Sequence, residues 1–206
     1  ENQAAVGTVV ASDVDAGTTL RFSLVSGGDA VSFAITSAGV LSFNAAPDFE
    51  NNSIYTLDVQ VSDGALTAKN TITVNVTDVN DAPVITSTAV TAVNEDVAYS
   101  YTVAASDVDA GDTVTLTATK PDWLTFTAAT PANSVGATLT GTPDNGDVGG
   151  THTVVITATD NGTGALTATQ TFTITVTNVN DAPVIAAQPF SVAENQTAVG
   201  RVVASD

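Results

Sequence analysis

Two stretches, TDVNDAPVI at 77–85 and TNVNDAPVI at 177–185, agree at eight of nine positions across an offset of 100. A rewriting this close to verbatim demands units of roughly 100 residues set along the chain, each closed by the same linker. The repetition extends to either side. ALTAKNTITVNVTDVNDAPVI from Ala65 returns as ALTATQTFTITVTNVNDAPVI from Ala165, and ASDVDAG at 11–17 recurs unchanged at 105–111. ENQAAVGTVVASD at 1–13 returns as ENQTAVGRVVASD at 194–206, with 11 of 13 identities. The chain reads as two different domains, 1–85 and 86–185, followed at 186–206 by the first strand or strands of a third. The third matches the first more closely than the second, so a parent chain that alternates two domain types is expected. On this reading the residues are an excised fragment, and the first domain lacks the strand that PFSVA (189–193) represents in the third.

Inside each unit the apolar period is two. Tyr55, Leu57, Val59 and Val61 alternate with polar residues, as do Ile72, Val74 and Val76 after a turn at Asp63-Gly64. The second unit repeats this with Val154, Ile156 and Ala158, then Phe172, Ile174 and Val176. Strict alternation marks strands with one buried and one wet face. Several such strands in about 90–100 residues predict an all-β chain of tandem Greek-key sandwiches in a linear string. No stretch has helical periodicity, and no apolar run is long enough to span a membrane as a helix.

Charge narrows the partners. Four Lys and Arg stand against 22 Asp and Glu, a formal charge of −18, which repels nucleic acid and anionic membrane surfaces. Eighteen of the acids are Asp (22 less Glu1, Glu50, Glu95 and Glu194). They sit in clusters whose order recurs: Glu1, then Asp13-x-Asp15, Asp48-x-Glu50, Asp63, and Asp78-x-Asn80-Asp81 in the linker. An i, i+2 pair in extended chain is expected to point both carboxylates to one side. Like charges placed together are costly unless a cation lies between them, and Ca²⁺ takes 6–8 oxygen ligands. With no Cys, thiolate metal sites and disulfides are excluded. Twelve-residue loops counted from Asp13 or Asp107 end at Leu24 and Ala118, where an EF-hand needs Glu.

The ordered set of a leading Glu, DxD, DxE, a strand ending in Asp, and DVNDAP resembles a cadherin repeat over residues 1–85. DVNDAP is one residue tighter between Asp81 and Pro83 than the commonest form. Residues 86–185, with YSYTVAASDVDAGD, PDWLTF, LTGTPDNGDVGGTH and NVNDAP, resemble the dystroglycan-type cadherin-like domain of bacterial surface proteins. The piece 186–206 again resembles a cadherin opening. The resemblance implies immunoglobulin/cadherin-like sandwiches with Ca²⁺ at each junction. At the first, the ligands would be Glu1, Asp48, Glu50, Asp78, Asn80, Asp81, Asp107, Asp109 and Asp160. At the second, aligning Tyr55 with His152 brings Asn145 and Asp147 to the places of Asp48 and Glu50. With Glu95, Asn178, Asn180, Asp181 and Asp206 they form a joint with fewer charges, expected to bind fewer or weaker ions. Asp13, Asp15 and Asp63 would serve a preceding, incomplete junction.

Turns are the simpler reading for Asp29, Asp112 and Asp144, and packing for His152 and Trp123. The function expected is that of a calcium-stiffened segment of a long extracellular, surface-associated adhesin or matrix protein of bacterial type. Its partners would be calcium, other repeats of the same chain and a homophilic or glycan partner. A carbohydrate-binding module is the alternative, and no catalytic pairing presents itself. Residues 186–206 are expected to supply a strand to another copy, head to tail.

Overall fold

The computed structural model describes residues 1–15 and 17–205. Alternation in the sequence becomes alternation in burial: along Tyr99–Ser106 and His152–Thr159 every second side chain is buried. Contacts divide the chain into two compact units. The first gathers Glu1–Pro83 with the loops Asp107–Val114 and Thr159–Thr167; the second holds Val84–Ser106, Thr115–Ala158 and the chain from Ala168 on.

In the first unit, β1 (Ala5–Thr8), β2 (Arg21–Leu24), β3 (Phe33–Ile35), β4 (Val40–Phe43), β5 (Ile54–Ser62) and β6 (Thr67–Asn75) form two sheets, ordered β1-β4-β3 and β2-β5-β6. Their inner faces share one core of Ala30, Phe33, Leu41, Phe43, Leu57, Val59 and Val76. Phe33, Phe43 and Tyr55 meet at its centre, with Tyr55 edge-on to both phenyl rings. Such aromatic contacts add to the area they bury.

The second unit comprises β7 (Val84–Ile85), β8 (Ala92–Asn94), β9 (Tyr99–Ser106), β10 (Thr115–Thr119), β11 (Leu124–Ala128), β12 (Ser134–Gly141), β13 (His152–Thr159) and β14 (Thr167–Thr177). The sheets are ordered β10-β13-β14-β8 and β11-β12-β9-β7. Tyr101 of one sheet meets Phe172 of the other edge-on, over a core that includes Leu139, Val154, Ile156 and Ile174. β7 pairs with β9, and β8 lies parallel to β14. A two-stranded ladder of β15 (Val184–Ile185) and β16 (Ala204–Ser205) follows.

Candidate metal centre

The leading glutamate is placed by an unusual backbone. Asn2 has φ of 61°, as have Asp96 (57°) and Asn195 (64°), each directly after Glu1, Glu95 or Glu194. Asn and Asp tolerate this left-handed region better than other side chains. In the first unit Asn2 N donates to the Pro47 carbonyl at 3.1 Å and the Glu1 amine to the Thr77 carbonyl at 2.8 Å. The Glu1 carboxylate then accepts from Phe49 N at 2.7 Å and Val79 N at 3.0 Å. The Phe49 bond, more than any other influence, holds its carboxyl below the usual range. Glu1 thereby ties the 48–51 turn to the linker. Asp48 closes that turn, accepting from Asn51 N at 3.0 Å.

Around this frame the acids converge. Oxygens of Glu1, Glu50 and Asp81 lie within 4.8 Å of one another, and so do those of Glu50, Asp78 and Asp109. Glu50 belongs to both groups. Its carboxyl is pushed up by partial desolvation and then by the charges of Glu1, Asp78 and Asp109. Asp81 is pushed up for the same first reason, followed by Glu1 and Asp109. Asp81 N donates to Asp109 Oδ2 at 2.8 Å, which joins the linker to the loop 107–114.

Asp107, Asp109 and Asp160 are buried, with exposures of 7%, 6% and 4%. The Asp107-x-Asp109 pair is not extended as expected. Asp107 Oδ1 accepts from Asp109 N at 3.0 Å, an Asx turn, and Asp13 repeats this with Asp15 N at 2.9 Å. Extended chain would leave those amide donors pointing away, whereas the short Asp side chain captures the amide two residues on. Asp107 Oδ2 is buried with no hydrogen-bond partner. Asp160 accepts from Gly162 N at 2.9 Å and from the Asn80 amide at 3.2 Å.

Asp112 closes a turn as expected, its N donating to the Asp109 carbonyl at 3.2 Å, and its side chain does more. It lines an open polar pocket with Asp78, Asn80, Asp109, Ala110, Gly162 and Thr163. Desolvation first, then Asp109, Asp107, Asp160 and Asp78, raise its carboxyl. A Cβ on Gly162 would collide with Asn80 Oδ1 and Asp112 Oδ2. Gly162→Ala is therefore expected to displace both oxygens and weaken cation binding by about tenfold, as calorimetric titration would show.

The second set is arranged differently. Glu95 is 1% exposed; its Oε1 accepts from Val179 N at 2.6 Å and from the Asn178 amide at 3.0 Å, while Oε2 is buried without a partner. Asp96 N donates to the Pro143 carbonyl at 2.8 Å, as Asn2 does to Pro47. The two prolines are thus equivalent, and Asp144, not Asn145, stands where Asp48 does. The alignment through His152 is one residue out, because the loop between this proline and the next strand is longer in the second unit. Asp144 caps the 3-10 turn Asn145–Asp147, and Asp147 Oδ2 accepts from Asp144 N at 3.0 Å. Both carboxylates are engaged in a capping box. Asn180 and Asp181 are exposed, and Asp206 lies outside the described residues. Among the described residues Glu95, Asp147 and Asp181 form no three-carboxylate group.

Of the remaining acids, Asp13 and Asp63 line one shallow pocket, and Asp15 is exposed beside them. Asp63 Oδ1 accepts from Ala65 N and Leu66 N at 2.7 and 2.6 Å, bonds that lower its carboxyl. His152 Nδ1 accepts from Trp123 Nε1 at 3.2 Å, leaving Nε2–H for the Asp147 carbonyl at 2.6 Å. The Trp123 indole packs edge-on against Tyr99 and His152.

Residues 1–77 match a family model described as a bacterial Ig domain, and residues 82–177 one described as a putative Ig domain. The chain is 30% identical over its whole length to protocadherin beta-1 of Homo sapiens, of which it spans 27%. It is 38% identical over 36% of its length to cadherin-3 of Caenorhabditis elegans, spanning 2% of that protein. Extracellular cadherin domains 1–5 of protocadherin gamma B2 superpose with a TM-score of 0.61 at 25% identity, covering 100% of this chain and 42% of that one. A cis-dimer structure of protocadherin gammaB7 domains 3–6 gives 0.57 at 25% identity, covering 100% and 51%. The chain spans 27% or less of the first curated relatives it matches.

Proposed function

We infer that this string of Ig-like, cadherin-like repeats is an extracellular, cell-surface adhesive segment whose acidic centre is a calcium clamp. One observation carries the reading: two three-carboxylate groups share Glu50, and among the described residues no Lys or Arg ion pair engages them. The ion pair among the described residues, Lys69 with Asp58, engages none of these acids. Buried Asp107, with one oxygen unsatisfied, fits the same need, since a buried charge persists only when paired or coordinated. Glu1, Glu50 and Asp81 would hold one ion, Glu50, Asp78 and Asp109 another, with Asp107, Asp160, Asn80 and Asp112 beside them. All are oxygen donors, the set a hard cation takes. Bound calcium supplies the positive charge that lets these carboxylates stay together.

Its consequence is mechanical. The groups draw ligands from the 1–50 body, the linker and the loop 107–114, so bound ions would crosslink three stretches of chain into a stiff repeat. The dystroglycan-type kinship of 86–185 and a bacterial adhesin or matrix setting are finer parts of this reading, supported by the motifs quoted above. Partners would be neighbouring repeats and a second copy of the chain. Carbohydrate binding lacks support at Trp123, whose ring is packed rather than presented.

Small-angle scattering paired with calorimetric titration tests the clamp. Calcium is expected to lengthen and straighten the particle with binding of about two or three ions; unchanged shape and heat would overturn the clamp. Protons compete for the same oxygens. Because Glu50 and Asp81 are raised, calcium affinity is expected to begin falling above the ordinary carboxylate range. In ion-free protein the sign reverses. A raised carboxyl contributes stability below its unfolded pKa that is lost as pH rises through the folded one, so mild acidification should stabilise the calcium-free protein. Glu1, lowered, opposes this and loses its contribution as pH falls. Titrations across pH, with and without calcium, check both slopes.

A further inference from the structure

One sheet of the second unit is free of acidic and basic residues. Its strands β10, β13, β14 and β8 contain no Asp, Glu, Lys or Arg, in a chain with 4 Lys and Arg and 22 Asp and Glu. The matching strands of the first unit hold Arg21 on β2, Asp58 on β5 and Lys69 on β6. The sheet ends at β10, which has β13 on one side. Beyond Lys120-Pro121 the chain passes to β11 of the opposite sheet, so among the described residues no strand pairs with the other side of β10. Natural edge strands are commonly blunted by a charge or a proline within the strand. The β10 sequence, TLTAT, has neither. The repeated ASDVDAG at 11–17 and 105–111 aligns β2 with β10. Where the exposed Arg21 guards the first edge, exposed Thr115 stands in the second.

We propose that β10 pairs with β10 of a second copy, antiparallel about a twofold axis at Leu116. The flanking charges set direction and register. The chain enters β10 from Asp112 and leaves it at Lys120, four residues before and four after Leu116. Antiparallel pairing brings the acidic end of each strand to the basic end of the other, whereas parallel pairing sets like ends together. About this axis the exposed Thr115 of each copy lies opposite the exposed Thr117 of the other. Buried Leu116 lies opposite Leu116, each side chain kept in its own core. Threonine pairs are favourable cross-strand neighbours. Elsewhere the net charge of −18 repels a second copy, so this sheet is where two can approach. The contact is isologous, joins two four-stranded sheets into one, and closes at the dimer. It rests on the self-association reading and names its surface.

Light scattering across concentration, with the whole chain in calcium, tests the pairing. The mass is expected to rise with concentration toward that of a dimer. Two double variants, Thr115→Asp with Thr117→Asp and Thr115→Lys with Thr117→Lys, each set like charges directly opposite one another. Each should weaken the dimer by at least about tenfold. An equimolar mixture of the two should associate at least as well as the parent, because every Asp then meets a Lys. Both positions face solvent, so the circular dichroism spectra of the variants should match the parent. Self-association that neither variant changes would overturn the β10 pairing while leaving the homophilic reading intact. Loss in both variants without recovery in the mixture would overturn the antiparallel register. A parent that stays monomeric at every concentration would overturn the proposal and the self-association reading together.

Discussion

Glu50→Gln is expected to remove most of the calcium-dependent rise in the unfolding midpoint of the first unit. Glu50 is the one carboxylate common to both acidic groups, so its neutralisation withdraws charge from two ion positions at once. An ion present at about 100 times its Kd stabilises the folded state by about 2.7 kcal/mol. For a unit of about 100 residues that corresponds to about 11–22 °C per ion. The same substitution should have the opposite sign in chelator. There Glu50 is an acid held among Glu1, Asp78 and Asp109, and removing its charge relieves repulsion. Thermal scans of parent and variant, with and without calcium, should therefore cross: the variant melts higher in chelator and lower in calcium. Asp58→Asn, whose carboxylate faces Lys69 and Thr71 well away from these acids, controls for a general loss of charge and should leave the calcium response unchanged. If Glu50→Gln keeps the full calcium response, the acids are a solvated surface and the clamp is wrong.

What the sequence disclosed and what it hid follow from different physics. Alternation is a local consequence of pleating, so Leu57, Val59, Ile156 and Ile174 could be placed in the core without coordinates. The linker acids were legible because repetition exposed them. Four features were not. The Asx turns at Asp107 and Asp13 depend on whether a short side chain or a ladder takes the next amide, and period-two reasoning assumed the ladder. Asp112 looks like a turn residue because its neighbours are Gly and Thr, and only the approach of Gly162 and Asn80 makes it part of the centre. Asp29, also read as a turn, accepts from Thr56 N on β5 at 2.7 Å, a bond across 27 residues that no local pattern announces. The register at 143–147 was missed because loop lengths differ, and the usable signal was the proline preceding each acidic turn. Pro47 and Pro143 are both buried, each presenting its carbonyl to the residue after the leading glutamate.

The largest effect in the second unit is expected from Asn178→Asp, which restores the residue that the first linker carries as Asp78. Glu95 is a buried carboxylate with one oxygen satisfied by Val179 N and Asn178 and the other without a hydrogen-bond partner. An aspartate at 178 withdraws a donor to a charged group and sets a second negative charge against it. The expected cost is about 2–4 kcal/mol in chelator, read as a lowered midpoint of chemical unfolding. In the first unit the counterparts Glu1 and Asp78 fall in two carboxylate groups joined through Glu50, where a bound cation would offset the repulsion. At the equivalent place in the second unit stands Gly146, and the neighbouring Asp144 and Asp147 are engaged in capping their own turn. Calcium should therefore recover only a small part of the loss. On the clamp proposed above, the exchange of Asp for Asn is a change of mechanism: both linkers give a backbone N–H to their glutamate, and the second adds the Asn178 amide where the first would add an ion. Full recovery in calcium would instead mean that the second site lacked only this one charge.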